Sequence, residues 1–291
     1  MNKFFAGIDL GGTKILTVIT DENRALLSKV KFATESPEGV EHVISNMFRS
    51  VEKGCLEAGI DPYSLSGIGI GVPGPVDHKT GTVYDCPNVY GWKNIGVGNI
   101  FRKKFKTEVV VENDARVAGL AEVRLGAARG FRHVFYVTVS TGIGGAIITD
   151  GKIYHGADGA AGEFGQFILL DGSILETVFA GPAIERLFGI STEKIAELIK
   201  QNDPGAQKAL NHLIHGLSIY LSNITTLLNP EIVVVGGGVS SLGHIFIDPL
   251  QENVKKLAFS ISAKNIKIVR AGLGTDSGAI GAVELLFKEK V

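Results

Sequence analysis

Asp9-Leu10-Gly11-Gly12-Thr13-Lys14 and Ser140-Thr141-Gly142-Ile143-Gly144-Gly145 are two glycine-rich, hydroxyl-bearing turns in matching surroundings. The first joins Phe4-Phe5-Ala6-Gly7-Ile8 to Ile15-Leu16-Thr17-Val18-Ile19, and the second joins Val134-Phe135-Tyr136-Val137-Thr138-Val139 to Ala146-Ile147-Ile148-Thr149. Each therefore reads as a hairpin between β-rich runs. Glycine is expected to turn the backbone through positive φ and expose N–H groups, and hydroxyls add further donors, so such turns suit phosphate oxygens. One is a hairpin; two in matching contexts predict a duplicated fold that grips a polyphosphate. A carboxylate at Asp9 would repel phosphate unless a cation lay between, which points to Mg²⁺ held through its waters.

Working outward, residues Val40, Val43, Ile44, Met47, Phe48, Val51 and Cys55 fall at helical spacing. Ile68, Ile70 and Val72 alternate with glycines and stop at Pro73-Gly74-Pro75. A short helix is predicted over 97–105, and Val109-Val110-Val111 is a buried strand ending at Glu112-Asn113-Asp114. The second cycle opens at residue 133 and turns again at Asp150-Gly151, a strong hairpin signal. Helices are predicted within 181–228, the last ended by Asn229-Pro230, and Ile232-Val233-Val234-Val235 closes on Gly236-Gly237-Gly238. A further helix, a strand at 266–269 and a final helix from about 277 complete the chain.

The order hairpin, helix, glycine-ended strand occurs twice, which predicts two α/β lobes with a ligand cleft between them. The expected boundaries are residues 1–115 for the first lobe and 116–276 for the larger second, with a terminal helix of about 277–291 packing back on the first.

Composition narrows the class. With 291 residues the chain can bury two cores, and its formal net charge of −1 gives no electrostatic case for nucleic acid or an anionic membrane. No run approaches the ~20 apolar residues of a membrane span. The N-terminus enters a strand and meets Asp9 without the apolar core of a secretion leader. Two cysteines, Cys55 and Cys86, make no disulfide scaffold and cannot supply a thiolate-rich zinc site. A cytoplasmic protein is expected.

Several motifs are absent. Neither turn has the spacing of a P-loop, Gly67-Ile68-Gly69-Ile70-Gly71 lacks that of a dinucleotide fingerprint, and no GxSxG elbow or HExxH helix occurs. Two readings of Asn113-Asp114 stand: Asp114 caps the next helix, or it is the base that takes a proton from an attacking hydroxyl. Gly236-Gly237-Gly238-Val239-Ser240 either lets a flat ring approach the backbone or serves tight strand-to-helix packing. Glu163, flanked by glycines, and Glu176, among apolar neighbours, read as partly buried carboxylates that a sugar's hydroxyls would satisfy.

Together and in order, IDLGGTK (8–14), GVPGPVD (71–77), CPNVYGW (86–92), VENDA (111–115), STGIGGAII (140–148), GAAGEFGQ (159–166), NPEIVVVGGGVS (229–240) and GAIGAV (278–283) resemble the ROK family of sugar kinases, close to bacterial glucokinases. The resemblance implies an actin-like ATPase (ribonuclease-H-like) fold, and ATP with Mg²⁺ as phosphoryl donor to a sugar hydroxyl. It also implies a homodimer or homotetramer. By position, Asp114 matches the catalytic base, and Asn88, Asn113, Glu163 and Glu176 match sugar ligands, with Gln166 beside them. Gly11, Gly12 and Thr13, with Thr141 and Gly142, match the phosphate loops, Asp9 and Lys14 complete that set, and Gly237 and Gly238 fall where the family holds adenosine.

Two departures matter. Gln166 stands where the family usually has histidine, and the following CxCGxxGCxE zinc module is replaced by a shortened, cysteine-free stretch, so zinc is not expected. Arg116 takes a place often held by asparagine. The expected reaction is phosphorylation of the glucose 6-hydroxyl. N-acetylmannosamine, fructose, allose, a β-glucoside or a cyclitol are the alternative acceptors. A sugar-sensing regulator is the alternative class.

Overall fold

The structure, a computed structural model, describes residues 3–86 and 89–287. In chain order the elements are β1 (Phe4–Leu10), β2 (Lys14–Asp21), β3 (Leu26–Ala33), α1 (Val40–Ala58), β4 (Gly67–Val72), β5 (Val76–Asp77), β6 (Thr82–Asp85), β7 (Lys93–Ile95), α2 (Val97–Phe105), β8 (Glu108–Asn113) and α3 (Asp114–Arg124). There follow β9 (His133–Val139), β10 (Ile143–Thr149), β11 (Lys152–Ile153), α4 (Leu175–Phe179), α5 (Gly181–Phe188), α6 (Ile195–Lys200), α7 (Pro204–Leu228), β12 (Ile232–Gly236), α8 (His244–Leu257), α9 (Ser260–Ala263), β13 (Lys267–Arg270) and α10 (Ser277–Glu284). No described helix is long and apolar enough to cross a membrane.

The chain divides into two compact units. One takes the chain through Ala121 together with Gly156–Ala160 and the segment from Thr275; the other comprises Glu122–His155 and Ala161–Gly274. Their sheets share one topology. The first runs β3-β2-β1-β4-β8 and the second β11-β10-β9-β12-β13. In each, the first three strands are antiparallel and the last two join in parallel. The first unit also carries a small antiparallel sheet, β5-β6-β7.

Local chemistry accounts for most elements. Helix α1 buries Val43, Ile44, Met47, Val51 and Cys55, one stripe at three- and four-residue spacing, and ends at Gly59 in the left-handed region. Helix α7 starts on Asp203, whose side chain accepts the Ala206 N–H, with Pro204 at its first turn. It ends at Asn229 with φ 47°. The β10–β11 hairpin turns on Asp150 and Gly151, both at positive φ (51° and 72°), the geometry that Asp-Gly favours. Strand β3, with Ser28 and Val30 buried and Leu27, Lys29 and Lys31 exposed beside them, was not anticipated from the sequence. The three short strands β5 to β7 were not either.

Helix α10 covers the first sheet at unusually short range. A Cβ on Gly69 of β4 would collide with the Ala282 carbonyl, and one on Gly7 of β1 would collide with that of Ala279. The glycines that alternate with Ile68, Ile70 and Val72 therefore include a seat for this helix. Arg24 holds its other end, pairing with buried Glu284 at 2.6 Å and lying over the Phe287 ring at 4.5 Å. Gly69→Ala is expected to destabilise the protein by about 2–3 kcal/mol or prevent folding. Gly71→Ala, whose Cβ would stand at an ordinary 3.5 Å from Val117, should cost less in the same urea titration.

Candidate active site

In the first unit, the parallel strands bring the predicted residues to one edge. Asp9 pairs with Gly71, Gly71 with Glu112, and Val72 with Asn113, so Asp9, Asn113 and Asp114 stand at or just beyond the carboxyl ends of β1 and β8. That is the edge where α/β sheets bind ligands. The turn at Gly11, Gly12 and Thr13 is braced by Thr34, a fully buried residue that sequence reasoning missed. Its hydroxyl donates to Gly11 O at 2.7 Å and its N–H to Thr13 O at 3.0 Å. No local pattern marks Thr34, because both bonds reach more than twenty residues back along the chain.

Gly11, Gly12 and Gly142 are not among the glycines at positive φ. The expectation that these turns need left-handed backbone is thus corrected: what glycine supplies is space. At Gly11 a Cβ would stand 3.1 Å from Lys14 O, and at Gly142 it would stand 2.6 Å from Glu176 Oε2.

Asp9 lies against the start of α10, where a Cβ on Gly278 would fall 2.5 Å from its Cγ. Burial pushes the Asp9 carboxyl up to about 6, against the opposing pull of the Lys14 ammonium. Among the described residues no three His, Cys, Asp or Glu side chains gather as a metal site. One carboxylate in a glycine-lined space fits a hydrated Mg²⁺ completed by water and phosphate oxygens, and would not hold a bare cation.

Asn113, not Asp114, caps α3. Its Oδ1 accepts the N–H groups of Ala115 (3.0 Å) and Arg116 (3.2 Å), and its Nδ2 donates to Gly74 O at 3.1 Å. Capping by Asp114 is thereby corrected. Asp114 is the first helical residue, half-buried, with Oδ1 accepting its neighbour's N–H at 2.8 Å. Beneath it, Glu112 accepts the Asn113 N–H at 2.8 Å and pairs with Arg116 at 3.3 Å, both side chains almost wholly buried. The unusual Arg116 is thus half of a buried ion pair at the strand–helix junction, an arrangement that is costly to break from one side.

In the second unit, three of the quoted motifs meet at the β9–β10 turn, joined there by Glu176 and Gly181. Ser140 O accepts the Gly181 N–H at 2.7 Å, and Ile143 N–H donates to Glu176 at 2.6 Å. Gly237, with φ 78°, sits against Val139 and Thr138, and Gly238 and Gly237 are exposed beside Ser140. Gly162 packs on Gly145 and Gly165 on Ile143, which sets half-buried Glu163 and exposed Gln166 along the same strand. The glycine triplet leads into a short 3₁₀ turn before α8. In place of a zinc module stands a small hairpin: Ile168 bridges Ile174, and Leu169 N–H donates to Ser173 O at 2.8 Å. Thr141 is exposed at the turn's tip. Asn88 lies outside the described residues.

Two sheets of one topology, each carrying a glycine turn after its first strand, are the actin-like ATPase class of fold. The chain belongs to the ROK family, which matches residues 5–289. It is 28% identical over 319 residues to the glucokinase of Halalkalibacterium halodurans, covering 99% of this chain and 96% of that one. The crystal structure of a ROK family glucokinase from Streptomyces griseus in complex with glucose and AMPPNP superposes with TM-score 0.83 at 30% identity, covering 97% of this chain and 98% of that one. A ROK hexokinase from Thermus thermophilus gives 0.80 at 32%, covering 97% of each.

Because its folded value lies above that of an unfolded aspartate, Asp9 favours the folded state in its protonated form. Stability should fall as pH rises from about 4 to about 6 and then level off. Asp9→Asn should therefore be more stable than the parent at pH 8, by about 2–3 kcal/mol at most. That advantage should shrink toward pH 4 in parallel urea titrations.

Proposed function

We propose that this ROK-family chain, an ATP-dependent carbohydrate kinase, is of the glucokinase type and transfers the γ-phosphate of ATP to the 6-hydroxyl of glucose. The observation that best supports the acceptor chemistry is the Asn113–Asp114 junction. Asn113 carries the helix cap, so the cap does not require the Asp114 carboxylate, and a buried Glu112–Arg116 pair stiffens the backbone beneath it.

In this reading Asp114 accepts the hydroxyl proton as the sugar oxygen bonds to the γ-phosphorus. The bond from that phosphorus to the bridging oxygen breaks, and ADP leaves. Asn88, Asn113, Glu163, Gln166 and Glu176 orient the sugar by hydrogen bonds to its hydroxyls. Gly11, Gly12 and Thr13, with Thr141 and Gly142, offer N–H and hydroxyl donors to phosphate oxygens, Lys14 adds a positive charge, and Gly237 and Gly238 leave room for the adenosine. Bound Mg²⁺, which Asp9 would hold through water, supplies charge neutralisation at the phosphates. A different acceptor, another hexose or a polyol, is favoured by one observation: an exposed Gln166 amide lies where relatives of this pattern present an imidazole.

ADP formation across a panel of hexoses, N-acetylhexosamines and cyclitols should give the highest kcat/KM with glucose. Preference for another acceptor would overturn the glucose assignment, and absence of acceptor-dependent ADP formation would overturn the kinase. Asp114→Ala should lower kcat about a thousandfold with an unchanged melting temperature.

A further inference from the structure

Glu176 is anchored in the chain from both sides. It is the second residue of α4, a single turn whose flanks are fixed in the core. On one side Leu175 is fully buried and donates its N–H to Phe167 O at 2.8 Å, closing the small hairpin at Ile168 and Ile174. On the other, Phe179 is 5% exposed and stacks on the His212 ring with centroids 4.9 Å apart. It also lies so close to α7 that a Cβ on Gly216 would strike its ring. A residue between two such anchors has little freedom to move.

Its carboxylate is already engaged. Oε2 accepts the Ile143 N–H at 2.6 Å, the short range of a charge-assisted bond. The space for this contact exists because residue 142 is glycine: a Cβ there would stand 2.6 Å from the same oxygen. Five residues on, Gly181 N–H donates to Ser140 O at 2.7 Å. Residues 176 and 181 thus tie both ends of the turn that carries Thr141 and Gly142. A phosphate loop binds best when its donors are fixed before the ligand arrives.

We propose that Glu176 is a positioning residue for this phosphate turn, with Oε2 committed to Ile143 and Oε1 left to the acceptor sugar. It thereby links the acceptor side of the reaction to the donor side through one carboxylate. The proposal rests on the kinase reading above and assigns to Glu176 a role distinct from sugar binding. The small hairpin at Ile168 and Ile174 helps hold the residue in place.

Charge and geometry pull in opposite directions here, which makes the test decisive. A carboxylate near phosphate repels it, so losing the charge alone should not weaken nucleotide binding. Losing the tie should. AMPPNP binding with Mg²⁺ is measured by calorimetry in the absence of any sugar. Glu176→Ala is expected to weaken it about tenfold. Glu176→Gln, whose amide oxygen still accepts from Ile143, should bind within about twofold of the parent or more tightly.

Gly142→Ala should weaken binding in the parent yet add little in the Glu176→Ala background, as expected for two changes that break one contact. Unchanged AMPPNP affinity in Glu176→Ala, with only the sugar KM raised, would overturn the proposal and leave the kinase assignment standing. A parent protein that binds no AMPPNP would remove both. Because the readout needs no acceptor, an error in the choice of sugar does not affect it.

Discussion

The seat of α10 on β1 and β4 is the constraint from which the first unit takes its shape. At Gly69 and Gly7 the helix backbone comes nearer to the strands than any side chain would allow. Phe5, Leu16 and Val18 then close over Ala279 and Val283 as a separate apolar cluster. The same approach carries Gly278 to the Asp9 carboxylate and Gly281 to Val117 of α3. One close-packed helix therefore fixes the surroundings of Asp9 and supports the helix that begins with Asp114. Burial of Asp9, which pushes its carboxyl up to about 6, should cost stability at neutral pH.

Backbone groups satisfied by distant side chains are the second recurring device. Thr34 closes the first glycine turn, and Glu176 closes the second. In the second unit Glu122, fully buried, accepts N–H groups from Ala127, Gly272 and Leu273 at 2.7–2.9 Å. Each such bond satisfies a backbone group and restrains the loop that carries it. The two turns are alike in sequence and in their place in the sheet, yet one is braced by a hydroxyl and the other by a carboxylate.

Much of this was legible in the sequence because its determinants are local. The repeated hairpin, helix and glycine-ended strand announced a duplicated α/β fold, and Asp150-Gly151, Asn229-Pro230 and the stripe of α1 marked their own turns and faces. What stayed hidden depends on partners far along the chain. The roles of Thr34 and Glu176 are set by bonds spanning 23 and 33 residues. The glycines of β4 could be seen to interrupt a strand, but the helix they admit lies more than two hundred residues away. The cap of α3 turned on which of two adjacent residues, Asn113 or Asp114, faced the helix N–H groups, and composition does not separate them. Strand β3 alternates properly, but its outward leucines, Leu26 and Leu27, blur the pattern. The junction at Arg116 looked like a simple departure and is half of a buried pair.

Helix α10 also sets an order of events during synthesis. A ribosome makes residues 4–72 long before residues 277–287, so β1 and β4 emerge with the face that α10 covers still open. Phe5, Leu16 and Val18 wait through the making of the whole second unit for the apolar partners that bury them. A product broken off after β13 would keep that face bare.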